Sequence, residues 1–243
     1  MTIKKNADVH ADAVGWRNAF LVTLGLLAVS LTMLLAQGRT SGDFFKETFD
    51  EMLRADPTFA TATGHHEFND RWTDWSKAAR DSRRQFFATR LAQLDTLRVG
   101  DSPQDQLTAR LLRYDFALRL EAWDLDTDLL RVGQLGGFHN LVYDTVDLMP
   151  ARSVRDYENI IARLRSIPTY VNQNLGVLDE AVAAGIMQPR VVADLVIQQI
   201  DAQLAQDAEH TQLLKAFRAF PSNLPRADQD RLRREALEAF EQQ

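Results

Sequence analysis

At 243 residues with 45% apolar content, the chain can bury one substantial core or form one lobe of a larger protein, and it lacks the composition of a disordered segment. Its net charge of −6, with no basic block anywhere along it, argues against nucleic acid as a partner. The absence of cysteine excludes disulfides, a thiol nucleophile, cysteine-held zinc and a lipid-modified N-terminal cysteine.

Residues 19–36 form an uninterrupted, uncharged apolar run preceded by Lys4, Lys5 and Arg17. As a helix it would be about 27 Å long against a hydrocarbon core of about 30 Å. It reads as a signal peptide, with Ala36-Gln37-Gly38 as a small-x-small cleavage site, or as a retained membrane anchor. Either way the basic flank stays inside and the rest of the chain is exported, to the periplasm or the extracellular side. The expected division is therefore 1–38 as signal or anchor and 39–243 as a helical domain.

Beyond residue 43 the apolar positions recur at spacings of three and four, and nothing alternates at strand length. The expected fold is all-α, a multi-helix array. Asp43 is placed to cap a helix to about 55, with Phe44, Phe45, Phe49, Met52 and Leu53 on its apolar face. Asp56 before Pro57 predicts an extended residue and a fresh helix start, and Gly64 a stop one short helix later. The polar loop after Gly64 is anchored by Phe68, Trp72 and Trp75. A helix over about 74–97 carries the stripe Phe86, Phe87, Leu91 and Leu94, with Arg80, Arg83, Arg84 and Arg90 expected on a solvated face. Ser102 and Pro103 open the next helix. It has Leu107, Leu111, Tyr114 and Leu118 on one line and Leu112, Phe116 and Leu120 on another, a width that suggests deep burial.

Gly133, Gly136 and Gly137 break helix before a short apolar piece around 141–146. Ser153 caps a helix to about 167, Pro168 restarts one ending near Gly185, and Pro189 opens another to about 207. The remaining pieces are about 209–220 and 227–243, the last a charged helix whose Leu232, Ala236, Leu237 and Phe240 need a partner surface.

Few residues offer chemistry. His66-Glu67-Phe68-Asn69-Asp70 invites comparison with the zinc motif His-Glu-x-x-His, which sets two imidazoles one turn apart on a helix. Asp70 stands where the second histidine belongs, and the glycine stop and Asn69-Asp70 favour turns over helix. Gly64, His65, His66 and Asp70 are therefore expected in a structural or cleft-lining loop, and His139, in the glycine-broken stretch, is a further cleft candidate. Asp124, Asp126 and Asp128 imitate the start of a calcium loop, but Leu129 and Leu135 occupy its glycine and glutamate positions. The glycines at 133–137 have no lysine after them for a phosphate cradle, no Gly-x-Ser-x-Gly elbow occurs, and His10 and His210 are isolated. The chain itself carries no catalytic motif, and no catalytic, cofactor-binding or metal residue is assigned.

The segment 56–76, with Asp56, Pro57, Thr58, Ala60, Thr61, Gly64, Asp70, Asp74 and Ser76, resembles the opening of the bacterial domain-of-unknown-function 885 family. The resemblance continues through Asp105-Gln106-Leu107, Leu111-Leu112, Gln134, Gly137, Pro150, Tyr157, Arg163-Leu164, Ile167-Pro168, Gly176, Gly185 and Pro189. It implies a longer parent whose C-terminal part carries a His-Glu motif and a Gly-His-His, similar to thermolysin-like zinc peptidases. On that footing zinc, and a peptide or other small substrate, belong to the full-length protein, and the chain is the N-terminal lobe whose partner is the C-terminal part of the same polypeptide. The alternative is a self-sufficient exported binding or scaffold module without catalysis.

Overall fold

The computed structural model describes residues 40–242. The apolar run at 19–36, the Ala36-Gln37-Gly38 site and His10 lie outside the described residues. Within them the regular structure is helical: α1 (Ser41–Ala55), α2 (Pro57–Ala62), α3 (Lys77–Thr96), α4 (Pro103–Asp124), α5 (Phe138–Asp147), α6 (Val154–Ala184), α7 (Arg190–Leu204) and α8 (Arg226–Glu241). Short 3-10 turns fall at His66–Phe68, Thr127–Leu129 and Gln212–Phe217. The all-α expectation is met, and no helix among the described residues is long and apolar enough to cross a membrane.

The punctuation read from the sequence sets most boundaries. Asp56 accepts from Phe59 N–H and so caps α2, with Pro57 in its first turn. Gly64 follows that helix at φ +83°, where a side chain would be strained. Ser76, Ser102 and Ser153 cap α3, α4 and α6, and Gly185 ends α6 at φ +73°. Asp43 differs from its expected role: Thr40 is the cap of α1, and Asp43 closes a capping box from the third helical position.

Two cores organise the array. The first gathers Phe44 of α1, Phe87 and Leu94 of α3, and Ala109 and Phe116 of α4. The second, larger core is built around α6, whose Tyr157, Ile160, Ile161, Leu164 and Tyr170 meet α5, the Gln212–Phe217 turn and α8. Leu232, Ala236 and Ala239 of α8 are buried there, so that charged helix finds its partner surface on α6.

Four further expectations need correction. Pro168 does not restart a helix: α6 runs 31 residues through it. A proline removes one N–H donor and crowds the preceding turn. The carbonyl that loses its donor is that of Leu164, and just before it Trp72 Nε1 and Ser166 Oγ add bonds to the Arg163 carbonyl at 3.0 Å each, and Ser166 Oγ to the Ala162 carbonyl at 2.9 Å. The stretch at 209–220 contains a 3-10 turn rather than an α-helix.

The α4 stripe is buried on one side only. Phe116 lies in the core, while Leu111 and Tyr114 are 58% and 70% exposed, because α1 and α3 cover only one face of α4. Nor do the α3 arginines form a solvated face. Arg80 is buried between Asp128 and Glu180, and Arg90 is buried with Glu51 at 2.8 Å and the rings of Phe44 and Phe86 beside it. Arg84 stays exposed, paired with Asp124.

Candidate functional site

The segment 56–76 folds as a collar around one side chain, Arg163 of α6, which has no exposed surface. Arg163 Nε donates to the Arg71 carbonyl at 3.0 Å, and Nη2 reaches the Pro57 carbonyl at 3.1 Å and Thr61 Oγ1 at 2.8 Å. Its guanidinium carbon lies 5.1 Å from the centre of the Trp72 ring, and that indole stacks on Tyr170 at 4.9 Å. Thr61 Oγ1 lies 2.7 Å from Asn69 Oδ1, which ties the helix to the loop behind it. Thr73 Oγ1 donates to Asp56 Oδ1 and accepts from Thr58 N–H, closing the other end.

The acceptors facing Arg163 are carbonyl and hydroxyl oxygens rather than a carboxylate. Burial therefore lowers its pKa to about 10, against the pull of Asp70 and Asp56 in the opposite direction. It remains a cation at neutral pH. A buried charge held by neutral dipoles is destabilising to strip of any one of them, so the collar is fixed in a single arrangement.

The residues singled out from sequence lie on this collar but do not converge. His65 lies edge-on to Phe49, with Nδ1 3.9 Å from Glu67. His66 Nδ1 accepts from Asn69 Nδ2 at 3.2 Å, and Asp70 is held by Arg71 at 2.8 and 3.0 Å. That bidentate contact holds the Asp70 carboxyl below its ordinary value. Glu67 sits in a 3-10 turn rather than on an α-helix. Among the described residues no three His, Asp or Glu side chains are grouped to hold a metal. The donors on the collar do not fit a zinc ion.

Beside the collar is a cleft of about 140 Å³ between α1, α3 and α4, with Asp56, Trp75, Arg83, Phe86, Arg119 and Trp123 on its walls. Trp75 meets two cations, Arg83 at 4.9 Å and Arg131 at 3.3 Å from its ring centre. Burial lowers the pKa of both arginines. Arg83 Nη1 donates to the Asp74 carbonyl, and Arg131 Nε to Asn174 Oδ1. The cleft offers charge and aromatic surface but no nucleophile with an adjacent base.

His139 lies apart from the collar, on α5, and is buried. Its Nε2 is 3.0 Å from Gln199 Oε1, while the Gln199 amide donates to the Gln134 carbonyl. With that oxygen as acceptor, Nε2 carries the proton. A Cβ on Gly137 would come within 2.9 Å of Nδ1, so the glycine lets the loop close over the ring. His139 also lines an apolar cavity of about 480 Å³. It lies in the first turn of α5, in a place where no carboxylate contacts it.

Sequence reasoning noted Arg163 only as a position of the family resemblance, with no structural role, and passed over Arg131 and Thr73. Arg163 left a usable signal: a lone arginine at helical spacing inside the apolar stripe Ile160, Leu164 and Ile167, where only a satisfied cation can sit. Thr73 left none, since its role depends on a loop folding back on Asp56.

The profile of a family described as "Bacterial protein of unknown function (DUF885)" matches residues 57–243. No curated protein matches the chain significantly. Among solved structures, the fold is similar to one described as "the putative lipoprotein from Colwellia psychrerythraea", with a TM-score of 0.66 and 11% identity over 84% of this chain. The chain spans 39% of that protein's length.

Proposed function

The chain belongs to the bacterial DUF885 family of unknown function, and from that premise we propose that it is the exported helical lobe of a peptidase-like hydrolase. In this reading it frames a substrate cleft, and the zinc and the water-activating glutamate are supplied by a more C-terminal part of a family-length polypeptide. The observation that carries the reading is the state of segment 56–76. Asp56, Thr58, Thr61, Asn69 and Thr73 are engaged with backbone, with each other or with Arg163, and Asp70 with Arg71, as in a structural joint rather than a set of groups arranged for proton transfer. Further support comes from the 39% coverage of the solved neighbour and from the exposed apolar residues of α7 away from Leu204, namely Val191, Leu195 and Ile197. Export rests on the apolar run 19–36 behind its basic flank.

Metal analysis of the purified chain, with a peptide-cleavage assay on the same sample, tests this. Zinc well below one equivalent and no cleavage are expected. One equivalent of tightly held zinc together with peptidase activity would overturn the proposal.

A further inference from the structure

The cavity beside His139 is enclosed by five pieces of structure: α5, α6, α7, the turn at Gln212–Phe217 and α8. Phe138, Val142, Ile167, Val171 and Leu213 make its walls, and His139, Tyr143, Gln203 and Gln206 are its polar members. No charged side chain lines it. Leu175 and Leu204 line it too, and both are exposed, Leu204 at 78%, so its mouth is apolar as well.

Its roof is the least committed helix of the array. Val196 is the one buried residue of α7. The hydrogen bonds that tie α7 to the body come from two glutamines: Gln199, to His139 and the Gln134 carbonyl, and Gln203, to Asn140. A roof held by a few amide contacts over an apolar space can admit a ligand without disturbing the core.

We propose that this cavity is a binding site for a single alkyl or acyl chain, entering between Leu175 and Leu204 with its polar end at the mouth. At about 480 Å³ the space falls within the usual range for small-molecule pockets, about 300–1,000 Å³, which suits a single chain. The uncharged lining excludes a buried carboxylate or ammonium, which leaves the apolar part of an amphiphile as the occupant. This inference is independent of the hydrolase reading.

The test is displacement of the fluorescent probe N-phenyl-1-naphthylamine from the full chain by n-alcohols of increasing length. Each methylene that enters the cavity should strengthen displacement about fourfold, until the space is full and the gain stops. Val171→Trp, which fills the cavity, should abolish the effect. Leu204→Glu, at the exposed mouth, should weaken it at least tenfold without threatening the fold. Leu111→Ser, on the exposed face of α4, should leave it unchanged. No saturable probe binding, or displacement that both variants leave intact, would overturn the proposal. Sedimentation with phosphatidylcholine vesicles separates the sources: wild type pelleting where Val171→Trp does not assigns the chain to a membrane lipid, and wild type remaining in solution assigns it to a free amphiphile.

Discussion

The collar around Arg163 and the roof formed by α7 are both built of helix and loop, yet they are held by opposite means. In the collar, one buried cation is surrounded by fixed carbonyls, a hydroxyl and an indole, so each member depends on the others. In the roof, one valine is buried and the hydrogen bonds to the body come from flexible glutamines. Segment 56–76 forms the first. The demand of a buried charge holds it in place, and the adaptable surface lies elsewhere.

The contrast breaks most sharply at Arg163. Arg163→Met removes the cation, takes the side-chain donor from the Arg71 carbonyl and one of the donors from the Pro57 carbonyl, and should cost about 3–5 kcal/mol in urea unfolding. A loss under 1 kcal/mol would mean that the collar does not depend on its cation. Trp72→Phe removes the donor to the Arg163 carbonyl while keeping an aromatic ring, and a loss of about 1–3 kcal/mol is expected by the same measurement.

Replacing His65, His66 and Asp70 together with alanine should cost less than about 1 kcal/mol, since the Asp70–Arg71 pair is well exposed. Such a small loss would separate the rim of the collar from its centre. Leu111→Ser should lie within about 0.5 kcal/mol of wild type, and a larger loss would show that the exposed face of α4 is covered in solution.

Alkaline pH sharpens the comparison further. Burial pushes the phenols of Tyr143, Tyr157 and Tyr170 above the ordinary value of 10. The unfolded chain therefore gives up these protons first, and stability falls as pH rises past 10. Arg163, lowered to about 10 from 12.5, acts in the opposite sense over that interval, because the folded chain loses its proton first. Thermal melts across pH 9–11 should show a net fall in Tm, with a shallower slope for Tyr143→Phe.

Much of the architecture could be read from local chemistry. Pro57, Ser102, Ser153 and Gly185 act within a few residues of where they stand, and their roles survived. The misreadings came from partners distant in sequence. Pro168 stays inside α6, where Trp72, far back along the chain, donates to the Arg163 carbonyl and packs against the helix. Arg80 is buried because Asp128 and Glu180 come to meet it, and the exposed α4 stripe reads as core until the number of neighbouring helices is known. At the candidate site, the sequence drew attention to segment 56–76 and to the loop character of His65, His66 and Asp70. It did not reveal Arg163, around which that segment is organised.

Native-state hydrogen exchange compares the two regions in one experiment. Amides at 58–61 and 160–167 should open only with global unfolding, while those at 192–203 in α7 should exchange at least about a hundredfold faster through local opening. Equal protection of α7 and the collar would contradict the account, because it would place the roof and the Arg163 joint in the same cooperative unit.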